Sequence, residues 1–137
     1  MNYPRVVLAA LGAMVAYFAL GWLFFTRPSM RREFLKYPAI YRSQEEMKVV
    51  MPIGMFGMLL SMVALAALYA MVYRGGSGLA EGSRFGALIG LFVVCAFVVH
   101  NWADLNIGSR LTLYQTVAYF VQWAVVGTAI GLIYRPR

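Results

Sequence analysis

Four uncharged, apolar stretches dominate the pattern along the chain: Val6 to Thr26, Val49 to Tyr73, Phe85 to Ala103 and Leu111 to Tyr134. None carries the polar position every three or four residues that gives a soluble core helix its solvated side. None shows the strict alternation over about ten residues that marks a strand of a membrane barrel. At about 1.5 Å per residue, each can cross a hydrocarbon core about 30 Å thick. The pattern predicts an all-α integral membrane protein with four transmembrane helices in an antiparallel bundle. It forms one domain over residues 1–137, with spans of about 6–26, 49–73, 85–104 and 111–134.

Composition narrows the class further. Of 137 residues, 62% are hydrophobic and 12% charged, where a soluble domain carries roughly a quarter charged. Arg5 followed by an apolar run looks like a secretory signal. That run is longer than the usual h-region of about 7 to 15 residues and has no small-x-small cleavage site before Arg27, so a retained first helix is expected. The net charge of +7 reads as basic flanks against lipid headgroups, with no nucleic-acid partner. Arg5, Arg74, Arg84, Arg135 and Arg137 fall on the side of the termini, against Arg27, Arg31, Arg32, Lys36, Arg42, Lys48 and Arg110 on the other. The slight bias favours a cytoplasmic first connection with both termini outside. Cys95 is the only cysteine, which excludes a disulfide within the chain; among Val93, Val94, Ala96 and Phe97 it reads as a small buried hydrophobe.

In the first connection, Arg27 to Lys48, basic residues alternate with Met30, Phe34, Leu35, Tyr37, Ile40 and Tyr41, interrupted by Pro28 and Pro38. Short amphipathic interfacial helices are expected there, with a substrate gate or a docking loop as the functional alternative. Arg74-Gly75-Gly76-Ser77-Gly78 reads as a flexible turn, and Glu81 places an acid in the first turn of the third helix. The third connection, about Asn106 to Arg110, is short enough to make helices three and four adjacent. Pro52 falls near the predicted start of helix two, where a missing amide proton costs little. Trp22, Trp102, Tyr3, Tyr73 and Tyr134 are placed as an aromatic belt.

Candidate chemistry centres on His100, Asn101 and Asp104 at the end of the third helix. His100 and Asp104 are four apart and share a face. Gly82, Gly86 and Gly90 form a small-xxx-small series that brings another helix close, so the pair is expected to point into the bundle or an oligomer interface. Thr112, Gln115, Tyr119 and Gln122 make a polar stripe on helix four that faces it if the two stripes meet. Two readings stay open: a site handling a proton or polar solute, and a headgroup-level structure in which Asp104 pairs with Arg110 and His100 bonds Gln115.

One histidine is too few for a closed metal site, and bis-histidine haem needs a symmetric dimer. Met47, Met51, Met55, Met58 and Met62 project from one face of helix two, and thioethers suit Cu(I). That spacing is similar to the arrangement in eukaryotic copper transporters, while flexible methionines also fill packing gaps. Gly127 and Gly131, with Ala9, Gly12, Ala13 and Ala16, supply further packing surfaces. No phosphate loop, Ser/His/Asp set, zinc spacing or Cys-x-x-Cys occurs, so no enzyme and no cofactor is expected.

The Met1-Asn2 start before an apolar helix, the aromatic ending of Phe18 to Phe25, Glu81-Gly82 with Gly86, and the closing Gly127 to Gly131 segment carry a resemblance. The chain resembles a group of small bacterial four-helix membrane proteins catalogued as a domain of unknown function. The resemblance implies a bacterial inner-membrane protein, and no activity comes with it. The leading functional expectation is an oligomeric transporter or channel-like protein in which His100 and Asp104, with Gln115 and Gln122, handle a proton or small polar solute. The alternative is a non-catalytic accessory subunit of a larger membrane complex, and the third is Cu(I) handling. The expected partners are the lipid bilayer and either further copies of the chain or larger membrane subunits.

Overall fold

The computed structural model describes residues 1–135, so Arg137, counted with the terminal charges, lies outside the described residues. The order is α1 (Tyr3–Phe25), α2 (Pro28–Phe34), α3 (Gln44–Val72), α4 (Gly78–Val93), a π-helical segment (Val94–Val99), α5 (His100–Asp104) and α6 (Ser109–Ile133). α4, the π segment and α5 run on as one rod, Gly78–Asp104. No strand occurs among the described residues. The four long helices are apolar enough to cross a membrane and mark a multi-pass membrane protein.

Local chemistry sets the helix ends. Asn2 accepts from the Arg5 amide at 3.2 Å and Pro4 opens α1, a start that needs no donor from the proline. α3 begins five residues before the apolar run, because Ser43 and Glu46 form a capping box, Ser43 N donating to Glu46 Oε2 at 2.8 Å and Glu46 N to Ser43 Oγ at 3.3 Å. Pro52 consequently sits well inside the helix and not at its first turn. The glycine turn before α4 is also less free than its composition predicts. Gly75 takes φ +83°, and the Glu81 carboxylate accepts from the amides of Gly76 at 2.9 Å and Arg74 at 3.3 Å.

α6 is the central element, packed by α4 along one side and by α1 along another, while α3 lies chiefly on α1. Against α4 the contact is backbone to backbone. A methyl group at Gly82 would meet Gly127 O at 2.6 Å, one at Gly86 would meet Ala124 O at 2.6 Å, and one at Gly90 would meet Phe120 O at 3.0 Å. Residue numbers rise along one helix as they fall along the other. Ser83 donates to Thr128 Oγ1 at 3.0 Å, and Thr128 in turn donates to Ala124 O. Small residues let these hydroxyls meet and let dispersion act across the seam.

Two clusters close the ends. Val6, Ala9, Ala10 and Ala13 of α1 pack with Met62, Ala66 and Tyr69 of α3 and with Val126 and Ile130 of α6. Tyr69 stands edge-on to Phe85 at 5.3 Å and to Tyr134 at 6.1 Å. Tyr134 is buried and Tyr73 half-buried; they bind the helix ends together, whereas Tyr3, Trp22 and Trp102 are exposed as belt residues should be. At the opposite end Met30, Ile107, Leu111 and Ala118 gather Phe34, Tyr37, Ile40 and Tyr41. The first connection therefore folds against the base of α6, with Leu35 left exposed.

Candidate functional site

The glycine face of α4 continues as Val94 and Val98, both buried. In a regular helix a four-residue spacing drifts steadily around the axis; the wider π turn cancels that drift and rotates the remainder of the rod by roughly a quarter turn. This rotation decides where His100 and Asp104 go. Their side chains do meet each other, Nε2 to Oδ2 at 3.0 Å, but they are 67% and 60% exposed. Phe97 and Cys95 are exposed as well. The expectation that the pair points inward assumes an unbroken α-helix. The expectation that Cys95 is buried takes its apolar neighbours for a packed core, whereas it lies a position round the helix from buried Val94 and faces outward. Because an exposed i,i+4 pair contributes little, Asp104→Asn is expected to leave the unfolding temperature in detergent within about 2 °C. A larger fall would show that the carboxylate has a structural partner.

The polar stripe of α6 turns elsewhere. Thr112 Oγ1 donates to Gly108 O at 3.2 Å in its own first turn, and Gln115 Nε2 reaches Tyr41 OH at 3.5 Å. Gln122, buried, donates to Tyr17 O at 2.6 Å and so joins α6 to α1, while its Oε1 meets no protein donor. Tyr119 packs its ring at a tilt against Phe25, centroids 5.2 Å apart. None of these groups bonds His100 or Asp104. Arg110 is likewise taken by other partners, Glu33 at 3.5 Å and Tyr114 OH at 3.2 Å, in place of Asp104.

Gln115 and Tyr119 of the stripe do form a site, with the candidate Asn101 and with Tyr17, Leu105 and Trp123, which the sequence pattern does not single out. A cleft of about 500 Å³ is lined by Tyr17 of α1, Phe34 and Tyr41 of the first connection, Val93, Phe97, Val98, Asn101 and Leu105 of the α4 rod and its end, and Gln115, Tyr119 and Trp123 of α6. No residue of α3 lines it. Measured along α6 from Ser109, Gln115 lies about 9 Å deep and Trp123 about 21 Å deep. The amides and Tyr41 thus sit toward the connecting end, and the larger rings sit toward the middle of the span. Tyr17 and Trp123 are in ring contact at 5.3 Å. A signal for Tyr17 existed, since it is the one hydroxyl in the interior of the first span.

The floor of the cleft is latched. Glu33 is buried, and its carboxylate receives Lys36 Nζ at 2.7 Å and Arg110 Nε at 3.5 Å. Tyr37 OH accepts the Gly108 amide at 2.8 Å. Glu33 is the one acid between Arg27 and Arg42, and that isolation was its signal.

The methionine face of α3 is divided. Met62 is fully buried against α1, whereas Met47, Met51 and Met55 line a shallow groove with Gln44, Lys48 and Pro52. An ammonium in that groove opposes a cationic guest. Among the described residues no three His, Cys, Asp or Glu side chains group as metal ligands. No family model, no curated protein and no solved structure matches the chain.

Proposed function

We propose that this is a small inner-membrane protein of transporter or channel-like type, its four helices an antiparallel bundle with the first connection on the cytoplasmic side. The observation that supports this reading is the cleft itself, within the volume range of small-molecule sites and carrying Asn101, Gln115, Tyr41 and Tyr119 beside apolar walls. It favours a solute over a bare proton, because His100 and Asp104 lie outside it. The cleft reaches only part of the way along α6, so passage across the bilayer takes a second copy of the chain. The exposed His100–Asp104 pair provides an outward polar feature at which such a copy can register.

The test is uptake of radiolabelled small polar solutes, and of protons by an internal pH dye, into proteoliposomes. Gln115→Leu is expected to cut the flux of the transported solute at least tenfold with the protein still inserted, and His100→Ala to lower flux only as far as it loosens the association of the two copies. Equal flux in wild type and Gln115→Leu would remove the cleft from the path.

The outward His100–Asp104 pair also favours a second reading, an accessory subunit whose partner meets these two side chains. Native mass spectrometry of gently extracted protein separates the two. A homo-oligomer supports transport, and a constant mass with larger unrelated chains supports the subunit.

A further inference from the structure

We infer that the cleft takes a neutral amphiphile with a flat, oxygen-bearing ring of the quinone or phenol class, its ring among the aromatic side chains and its polar substituents toward Gln115 and Asn101. This deepens the transporter reading and rests on it, since both use the same cleft.

Charge is the first argument. The eleven lining residues include no Asp, Glu, Lys, Arg or His. A charged guest at this depth would lose its hydration with no counter-charge to meet it. A neutral guest has no such cost. Glu33, next in sequence to the lining residue Phe34, is already paired with Arg110, and neither lines the cleft.

Shape is the second. Tyr17, Phe34, Tyr41, Phe97, Tyr119 and Trp123 put six rings around one cavity, and aromatic side chains favour offset or edge contact with another flat ring. An aliphatic chain would gain area burial here but not that geometry. The third argument is the kind and placement of polar atoms. Phenolic hydroxyls donate or accept, and carboxamides do both, so ring carbonyls and ring hydroxyls are served alike. Gln115 makes only a long contact to Tyr41, 3.5 Å, leaving its amide able to turn to a better partner. With both carboxamides toward the connecting end and the rings of Tyr17, Tyr119 and Trp123 further along the span, a guest can set its polar substituents at the connecting end and its ring deeper.

The experiment uses the full chain in nanodiscs, equilibrated with decyl-substituted benzoquinone or with n-decanol, and counts probe retained above that of protein-free discs by mass spectrometry. The quinone is expected to show a saturable excess approaching one per chain, weakened about tenfold by Gln115→Leu and also by Tyr119→Leu, with n-decanol showing none. Two variants on different turns guard against one of them disturbing the fold. Saturable decanol binding that the quinone cannot displace would overturn the ring class while leaving the cleft as a site. Absence of saturable binding for both, with solute flux still sensitive to Gln115→Leu, would also overturn the ring class alone. Absence of binding together with flux insensitive to Gln115→Leu would overturn the transporter reading as well.

Discussion

Gly86→Leu is expected to separate α4 from α6 and to lower the stability of the folded protein by more than about 3 kcal/mol. The first carbon added at Gly86 already lies 2.6 Å from Ala124 O, 2.7 Å from Trp123 O and 2.9 Å from Gly127 Cα. These are backbone atoms of a regular helix, so no rotamer change relieves them and the helix as a whole must move outward. Moving it strips contacts along the seam from Gly78 to Gly90 and lengthens the Ser83 to Thr128 hydrogen bond. The measurement is the unfolding temperature and the folded fraction on size exclusion in mild detergent. The internal control is Gly54→Leu or Gly57→Leu on α3, where an added carbon meets nothing within 4 Å and little change is expected. Gly12→Ala should fall between, because its obstacle is the Ile133 side chain, which can turn aside. Equal tolerance at Gly86 and Gly54 would mean that the seam is not what holds α4.

The contrast between these glycines shows how far the sequence can be read. Gly82, Gly86, Gly127 and Gly131 announce themselves by four-residue spacing on two spans joined by a short turn, and they do pack against each other. Gly54 and Gly57 are chemically identical, and only the tertiary arrangement shows that α3 leans on α1 and leaves them uncovered. The π segment is the main feature that was not legible. Val94 to Val99 is apolar throughout, so no polar position reports the phase of the helix there. An extra residue per turn is worth only a small local difference in energy, decided by continued packing of Val94 and Val98 against α6. Yet it redirects His100 and Asp104, on which any sequence-based account of the site depends. Glu46 shows the opposite case, since a Ser-x-x-Glu capping box is a sequence signal in its own right and places the start of α3 inside what composition alone assigns to the loop.

Glu33→Ala is expected to release the first connection from the base of the cleft. In the wild type three ties hold it: the buried Glu33 carboxylate between Lys36 and Arg110, the Tyr37 hydroxyl under the Gly108 amide, and the apolar packing of Met30, Phe34, Ile40 and Tyr41 around Leu111. Loss of the carboxylate removes the ion-pair tie and leaves Lys36 and Arg110 without the counter-charge between them. The exposed partners soften this, because Lys36 and Arg110 can turn into solvent or toward lipid phosphate. The predicted effect is therefore local opening without global unfolding. Trypsin reads it, since Arg31, Arg32 and Lys36 lie in this segment and cleavage needs the backbone to leave its helical and turn hydrogen bonds. Cleavage in nanodiscs should accelerate about tenfold or more in Glu33→Ala, less in Glu33→Gln, which retains hydrogen bonding, and not at all in Glu45→Gln, whose pair with Lys48 is exposed on both sides. Tyr37→Phe removes the second tie and should add to Glu33→Ala. Because Phe34 and Tyr41 ride on this segment and line the cleft, opening it also removes two of the six rings, so quinone retention should fall in step with the rise in cleavage. Unchanged cleavage in Glu33→Ala would mean that apolar packing alone holds the connection in place.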